Sequence, residues 1–417
     1  MSRFVRIKSY PFIYIAWIFA LFSLPYSCQS VPCNASNNSA SNSKISCKEI
    51  WAYSAKQLRS HPVCMGNTVF LLKGNNVVAL NMSNGKELWS RDLSSIIWNG
   101  TSYDHIFPRI CYLSIKNGTN PQVLVSLSDK FSGYLIAFNP TSGKILWNYS
   151  SFASADAYAS PRGQICSEPV VWRDRVIFRT YSGLTAVKLS DGKELWNVPF
   201  DASIRIPATP TSRPALDKKT IYFNSDFGLA YAFNPMNGSL IWRTITDGID
   251  IKNSSGVRDV HITFSNCYPL VIDNRVLIAD GLGNAYGLNK NNGAIVWKKK
   301  FNYIFRYFNI INKLYMLSDK GFYELNVNNG AVIHKYIFSD GFLSCKIIGK
   351  SVVLINMPRV TPGWQIFDIQ RWAVVKTYND FACTSISNSG KTIYLDGYIP
   401  SDETHTPRIR AYRISGL

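Results

Sequence analysis

Short runs in which apolar and polar residues alternate follow one another along the chain from about residue 50 onward, separated by Gly, Asn, Pro and Ser. Alternation with a period of two is the mark of a half-buried β-strand, and no run holds the 3.6-residue period of a helix. One phrase recurs. It reads Ala79-Leu-Asn-Met-Ser-Asn-Gly-Lys-Glu-Leu-Trp89, then Ala137-Phe-Asn-Pro-Thr-Ser-Gly-Lys-Ile-Leu-Trp147. Further copies end at Trp196, Trp242 and Trp297, and a sixth ends Asn329-Gly330-Ala-Val-Ile-His334, with His in the place of Trp.

The phrase is a strand, a tight turn on Asn-Gly, Ser-Gly or Asp-Gly, and a second strand ending on an aromatic ring. Upstream of it lie an apolar strand, such as Arg275 to Ala279, and a Pro-marked one, such as Tyr268-Pro-Leu-Val-Ile272. Four short strands returning roughly every 40 to 60 residues describe the blade of a β-propeller.

After His334 the repeat degenerates. Lys350 to Lys376 reads as a seventh unit with an insertion around Pro358 to Gly363, and Thr392–Leu395 and Arg408–Ile414 supply strands of a last one. That last unit lacks its outer strand, and Glu49-Ile-Trp-Ala-Tyr-Ser54 is suited to fill the gap, since a paired edge is protected from stray association. The expected fold is therefore all-β: an eight-bladed β-propeller of four-stranded antiparallel blades, closed by an N-terminal strand.

The N-terminus reads differently. Arg3, Arg6 and Lys8 precede an apolar run from Tyr10 to Leu24, followed by small or polar residues and Cys28. A basic head, a short apolar middle and a small-residue exit make an export signal, too short for a membrane span. Leu24-Pro25-Tyr26-Ser27-Cys28 resembles a lipoprotein processing site, which makes Cys28 the candidate for lipidation. The organisation expected is an export signal over 1–27, a Ser/Asn-rich tether over 28–48 and one propeller domain over 49–417.

Composition alters this picture little. The chain has 417 residues, 46% hydrophobic and 14% aromatic, enough for a large core, and 17% charged, which disfavours long solvated helices. Its formal charge of +19 draws it toward anionic surfaces. The densest basic cluster, Lys298 to Lys300, ends a predicted outer strand, where lysine discourages edge pairing. Nine cysteines include no adjacent pair and no C-x-x-C, so zinc and thioredoxin-like chemistry are not indicated; disulfides remain open for an exported chain.

Catalytic patterns are lacking. The histidines His61, His105, His261, His334 and His405 are scattered, and His334, in a Trp position, reads as a packing residue. Ser389-Gly390-Lys391-Thr392 imitates the end of a P-loop but has Ser385 at the first glycine position and no helix after it. Gly281-Leu-Gly283 misses the dinucleotide fingerprint at Tyr286, and no G-x-S-x-G occurs. No catalytic, metal or cofactor site is expected.

The repeat is similar to that of pyrroloquinoline-quinone propellers. Together with the export signal, Cys28 and the tether it resembles the BamB family of outer-membrane assembly lipoproteins, best from His61 to Trp297. The resemblance implies a non-enzymatic scaffold on the periplasmic face of the outer membrane, docking the central barrel-assembly subunit and helping deliver unfolded barrel precursors. The family docks through a Leu-Arg pair and an Asp-x-Asp triplet; Ile204-Arg205 matches the first and Asp259-Val260-His261 the second, with His261 replacing the second acid. Two other readings stand beside it: a quinoprotein-like propeller enzyme, and a propeller binding an anionic envelope polymer.

Overall fold

The computed structural model describes residues 46–54, 58, 60, 62–94, 110–128, 132–151, 163–180, 183–199, 213–224, 229–246, 267–280, 282–338, 342–348, 351–356, 363–379, 381–398 and 408–415. Within them the strands form eight four-stranded antiparallel sheets. Seven blades, not eight, are continuous in sequence: blade 1 (63–92), blade 2 (110–151), blade 3 (170–199), blade 4 (215–245), blade 5 (270–300), blade 6 (304–337) and blade 7 (342–378). This count corrects the expectation of an eight-bladed propeller. The remaining sheet is composite, with Ala382–Ser389, Thr392–Tyr398 and Arg408–Ser415 in order and Ser46–Ser54 on the outer side.

The boundaries are corrected too. The N-terminal strand starts at Ser46 rather than Glu49, so Ser46, Cys47 and Lys48 belong to the sheet and not to the tether. The strands Phe342–Ile348 and Ala382–Ser389 were not foreseen, because neither carries the Trp or Asn-Gly mark of the repeat. The export signal and Cys28 lie outside the described residues.

Each sheet packs on the next through a shared apolar cluster. Phe70 and Val77 of blade 1 meet Val123 and Phe138 of blade 2, and so on around to Val69 and Leu80, which meet Tyr394 and Ala411 of the composite sheet. First strands of neighbouring sheets touch one another, as Ala215–Leu216 touches Leu270–Ile272 and the latter touches Ile304–Ile310, so the first strands line the axis.

The recurring Trp explains much of this packing. In blade 5 the ring of Trp297 lies over the backbone of Gly287, its cross-strand partner; a Cβ on Gly287 would fall 2.2 Å from Nε1. The other blades of the repeat place Ala there: Ala79, Ala137, Ala186 and Ala232. The far side of the ring covers the turn of the following blade. Trp297 donates from Nε1 to the carbonyl of Val327 at 2.9 Å, and its ring lies 2.6 Å from where a Cβ on Gly330 would be. Gly330 also has φ +68°, so the position demands glycine twice over. Burying each indole contributes on the order of 2–3 kcal/mol, which ties each blade to the next.

Among the described residues Cys47 and Cys345 are free thiols. No helix of the described residues is long and apolar enough to cross a membrane.

Candidate functional site at the axial cleft

Several blades begin with an X-Pro step: Glu168-Pro169, Arg213-Pro214 and Tyr268-Pro269 head blades 3, 4 and 5. Proline has no N–H to give to a ladder, so the head of a strand suits it, and its ring forces the preceding residue into an extended conformation. Glu168, Arg213 and Tyr268 are thereby set at one end of the axial strands, side by side in three consecutive blades. Blades 6 and 7 add Arg306 and Lys346 from their first strands, Ile304–Ile310 and Phe342–Ile348.

These residues are close to one another. Arg213 Nη1 lies 3.4 Å from Glu168 Oε1. The guanidinium of Arg306 sits 4.6 Å from the centre of the Tyr268 ring, within cation–π range. Arg213, Arg306 and Tyr268 line an open cleft of about 330 Å³, together with Pro214, Pro269 and Tyr307. Lys346 is held below the usual lysine range, first by burial and then by the neighbouring charge of Arg306; Glu168 acts in the opposite sense. Burial raises Tyr268, with Arg306 the largest opposing influence.

A rigid layer supports the cleft. Tyr307 donates its hydroxyl to the carbonyl of Ile278 at 3.0 Å, and burial pushes its phenol well above the ordinary range. Behind it Asp280 accepts from the Tyr286 hydroxyl at 2.8 Å, from Asn284 Nδ2 at 2.7 Å and from the Asn284 backbone N–H at 2.8 Å. Asn224 Nδ2 reaches the carbonyls of Cys267 and Ala279, both at 3.4 Å, joining the heads of blades 4 and 5. Positions fixed this firmly present a preformed surface to whatever binds there.

The docking residues expected from the sequence, Ile204, Arg205, Asp259 and His261, lie outside the described residues. The chain on either side of them is described. Residues 200–212 connect the outer strand of blade 3 to Arg213, and residues 247–266 connect the outer strand of blade 4 to Cys267 and Tyr268. Both are outer-to-inner connections, and both deliver a residue of the axial cleft. The cleft cations Arg213, Arg306 and Lys346 were missed because they are far apart in sequence; aligning the blade heads by their prolines would have brought the first of them out.

His334 packs against the Trp372 ring, as a residue in the Trp position should, and it also pairs with an acid that the sequence reading did not link to it. Its Nδ1 lies 3.1 Å from Oε2 of Glu324, the cross-strand partner that stands where other blades have Ala or Gly. Glu324 is 4% exposed, and Lys313 Nζ approaches its other oxygen at 2.9 Å.

Comparison with known proteins bears on these repeats directly. A family model described as outer membrane protein assembly factor BamB matches residues 113–244, from blade 2 into the last strand of blade 4. BamB of Yersinia pestis is 24% identical over 263 residues, covering 62% of this chain and 60% of that protein. Among solved structures, BamB from Moraxella catarrhalis aligns with a TM-score of 0.64 at 14% identity, over 88% of this chain and all of that one. Blades 2 to 4 of this propeller are similar in sequence to BamB. The wider fold is shared: quinohemoprotein alcohol dehydrogenase from Comamonas testosteroni aligns with a TM-score of 0.62 at 11% identity, covering 88% of this chain and 76% of that one. The match to the Yersinia BamB falls short of two thirds of that protein's length.

Proposed function

We propose that this chain is an exported, non-enzymatic scaffold of the outer-membrane β-barrel assembly machinery. It docks the central barrel-assembly subunit from the periplasmic side and helps deliver barrel precursors. The observation that carries this reading is the BamB match over 113–244, which encloses Ile204 and Arg205 and runs through the blades that flank them. In this reading Arg205 makes a two-pronged contact with a partner carboxylate, Ile204 supplies the apolar neighbour, and Asp259 and His261 contribute from the next connection. Cys28 carries a lipid that holds the propeller at the membrane surface.

The outer strands lend support to precursor handling. The residue before each Trp or His of the repeat, namely Leu88, Leu146, Leu195, Ile241, Val296 and Ile333, is exposed at 40 to 52%. Aliphatic side chains on unpaired strand edges suit an extended, apolar, unfolded chain.

An affinity pull-down from membrane extracts, wild type against Arg205→Glu, tests the proposal. Co-purification of the barrel-assembly subunit with wild type and its loss with the variant are expected; its absence from the wild-type sample would overturn the reading. Replacing Cys28 with Ser is expected to release the protein from the membrane fraction. The quinoprotein-like enzyme reading has the fold likeness to the Comamonas dehydrogenase behind it, and an absorption spectrum of the purified protein tests it.

A further inference from the structure

The axial cleft holds more positive than negative charge, and its cations are unevenly paired. Among the described residues Glu168 is the acid that acts on both Lys346 and Tyr268, and it is in ion-pair contact with Arg213. Arg306 lies on the Tyr268 ring, and no described carboxylate is in ion-pair contact with it or with Lys346. Arg306 lines the cleft, and its charge acts on the partly buried Lys346 of the next blade, so the two cations repel one another and lose hydration. A fold retains such an arrangement at a cost to its own stability, as binding sites commonly do.

The walls of the cleft suit a ligand. Pro214, Pro269, Tyr268 and Tyr307 make a stiff lining of apolar and aromatic surface, and the cations converge on it. A few charged groups on a preformed, mostly apolar cleft are the usual makings of a small-molecule site. Guanidinium groups match the paired oxygens of a carboxylate or phosphate, and a ring-stacked guanidinium is already oriented.

We propose that the axial cleft binds a small oxyanion, a carboxylate or a phosphate, held by Arg213 and Arg306 beside the Tyr268 ring with Lys346 adding positive charge. Binding supplies the counter-charge that the cleft lacks. The negative ligand relieves the repulsion between Arg306 and Lys346, so occupancy stabilises the heads of blades 4 to 7 together. Anion binding at this site does not require partner docking.

The test is calorimetric titration of the full chain with citrate and, separately, with inorganic phosphate, at ionic strength held constant with sodium chloride. Saturable binding of at least one is expected, and which binds tighter distinguishes a carboxylate from a phosphate ligand. Arg306→Gln should weaken binding at least tenfold, while Lys299→Gln, on the outer strand of blade 5, should leave it unchanged. Lys346→Met should weaken binding and, without ligand, raise the melting temperature, an opposition that a merely structural lysine would not give. Absence of saturable binding of either anion would overturn the proposal. So would an Arg306→Gln protein that is folded by circular dichroism and binds as wild type, or a Lys346→Met protein that melts lower and binds normally.

Discussion

The imidazole of His334 lies 5.3 Å, centre to centre, from the indole of Trp372, at the boundary between blades 6 and 7. Every earlier boundary of the repeat has the reverse arrangement, an indole on the leading blade over a glycine in the next turn. Here the large ring has moved across the interface. Trp372 takes the turn position at φ +50°, and the smaller His334 leaves room for Glu324 beneath it. Three changes, Ala to Glu, Trp to His and Gly to Trp, fit one another and would each clash or leave a void alone.

That interdependence is measurable by urea denaturation. His334→Trp alone is expected to cost about 2–4 kcal/mol, since the indole would meet the Glu324 carboxylate and the Trp372 ring. The triple variant Glu324→Ala, His334→Trp, Trp372→Gly restores the arrangement of the other boundaries. Its loss should be smaller than the sum of the three single losses by about 1–3 kcal/mol. Strict additivity would show that the three positions are independent.

The turn glycines separate backbone strain from crowding. Gly293 has φ +73°, and an added Cβ would lie 2.5 Å from Thr244 Oγ1 and 2.6 Å from the Trp242 ring. Gly66 has φ +55° with nothing within 4 Å. Gly66→Ala should cost about 1 kcal/mol, from conformation alone, and Gly293→Ala about 3 kcal/mol or more. Equal losses in thermal or chemical unfolding would remove the role assigned to the ring.

Much of this was readable from the chain. The repeat announces itself because one Trp and one Gly per blade serve an interface that must be built the same way each time. Phe342–Ile348 and Ala382–Ser389 went unseen because their neighbours use different interface chemistry, so the marks are missing. The Glu324–His334 pair had a sequence signal, an acid in the Ala column and a histidine in the Trp column, but its meaning requires the strand register. The cleft cations depend on ring closure, which brings Arg213, Arg306 and Lys346 to one axis in a way that local pattern does not encode.

Asp280 organises the head of blade 5 with a buried carboxylate that accepts from Leu282 N–H at 3.0 Å as well as from Asn284 and Tyr286. Asp280→Ala strands those donors in a site with little water and should cost about 2–4 kcal/mol. Its neighbour Tyr307 lines the axial cleft, so loss of the carboxylate should also increase hydrogen exchange at Ile278 and Tyr307.

The thiols of Cys267 and Cys345 are pushed up to about 12 by burial, Arg306 opposing in each case. In the native protein both should resist iodoacetamide at neutral pH and react once urea exposes them, as mass spectrometry of the labelled peptides would show. Their raised values also set a direction for stability. The contribution is intact below the unfolded thiol value of 9.0 and is lost as pH climbs toward 12, so unfolding should become easier across that alkaline window. Rapid labelling of native Cys267 would contradict the burial.

The indole hydrogen bonds between blades run forward along the chain. Trp89 finds its acceptor at Pro140, 51 residues later, Trp147 at Leu189, 42 later, and Trp242 at Lys290, 48 later. A chain emerging N-terminus first therefore completes each unit only when the next one arrives. At every moment the newest blade is the unfinished one, its indole bare until more chain emerges. A blade is for this reason a poor unit to excise or transplant: half of what makes it stable belongs to its successor.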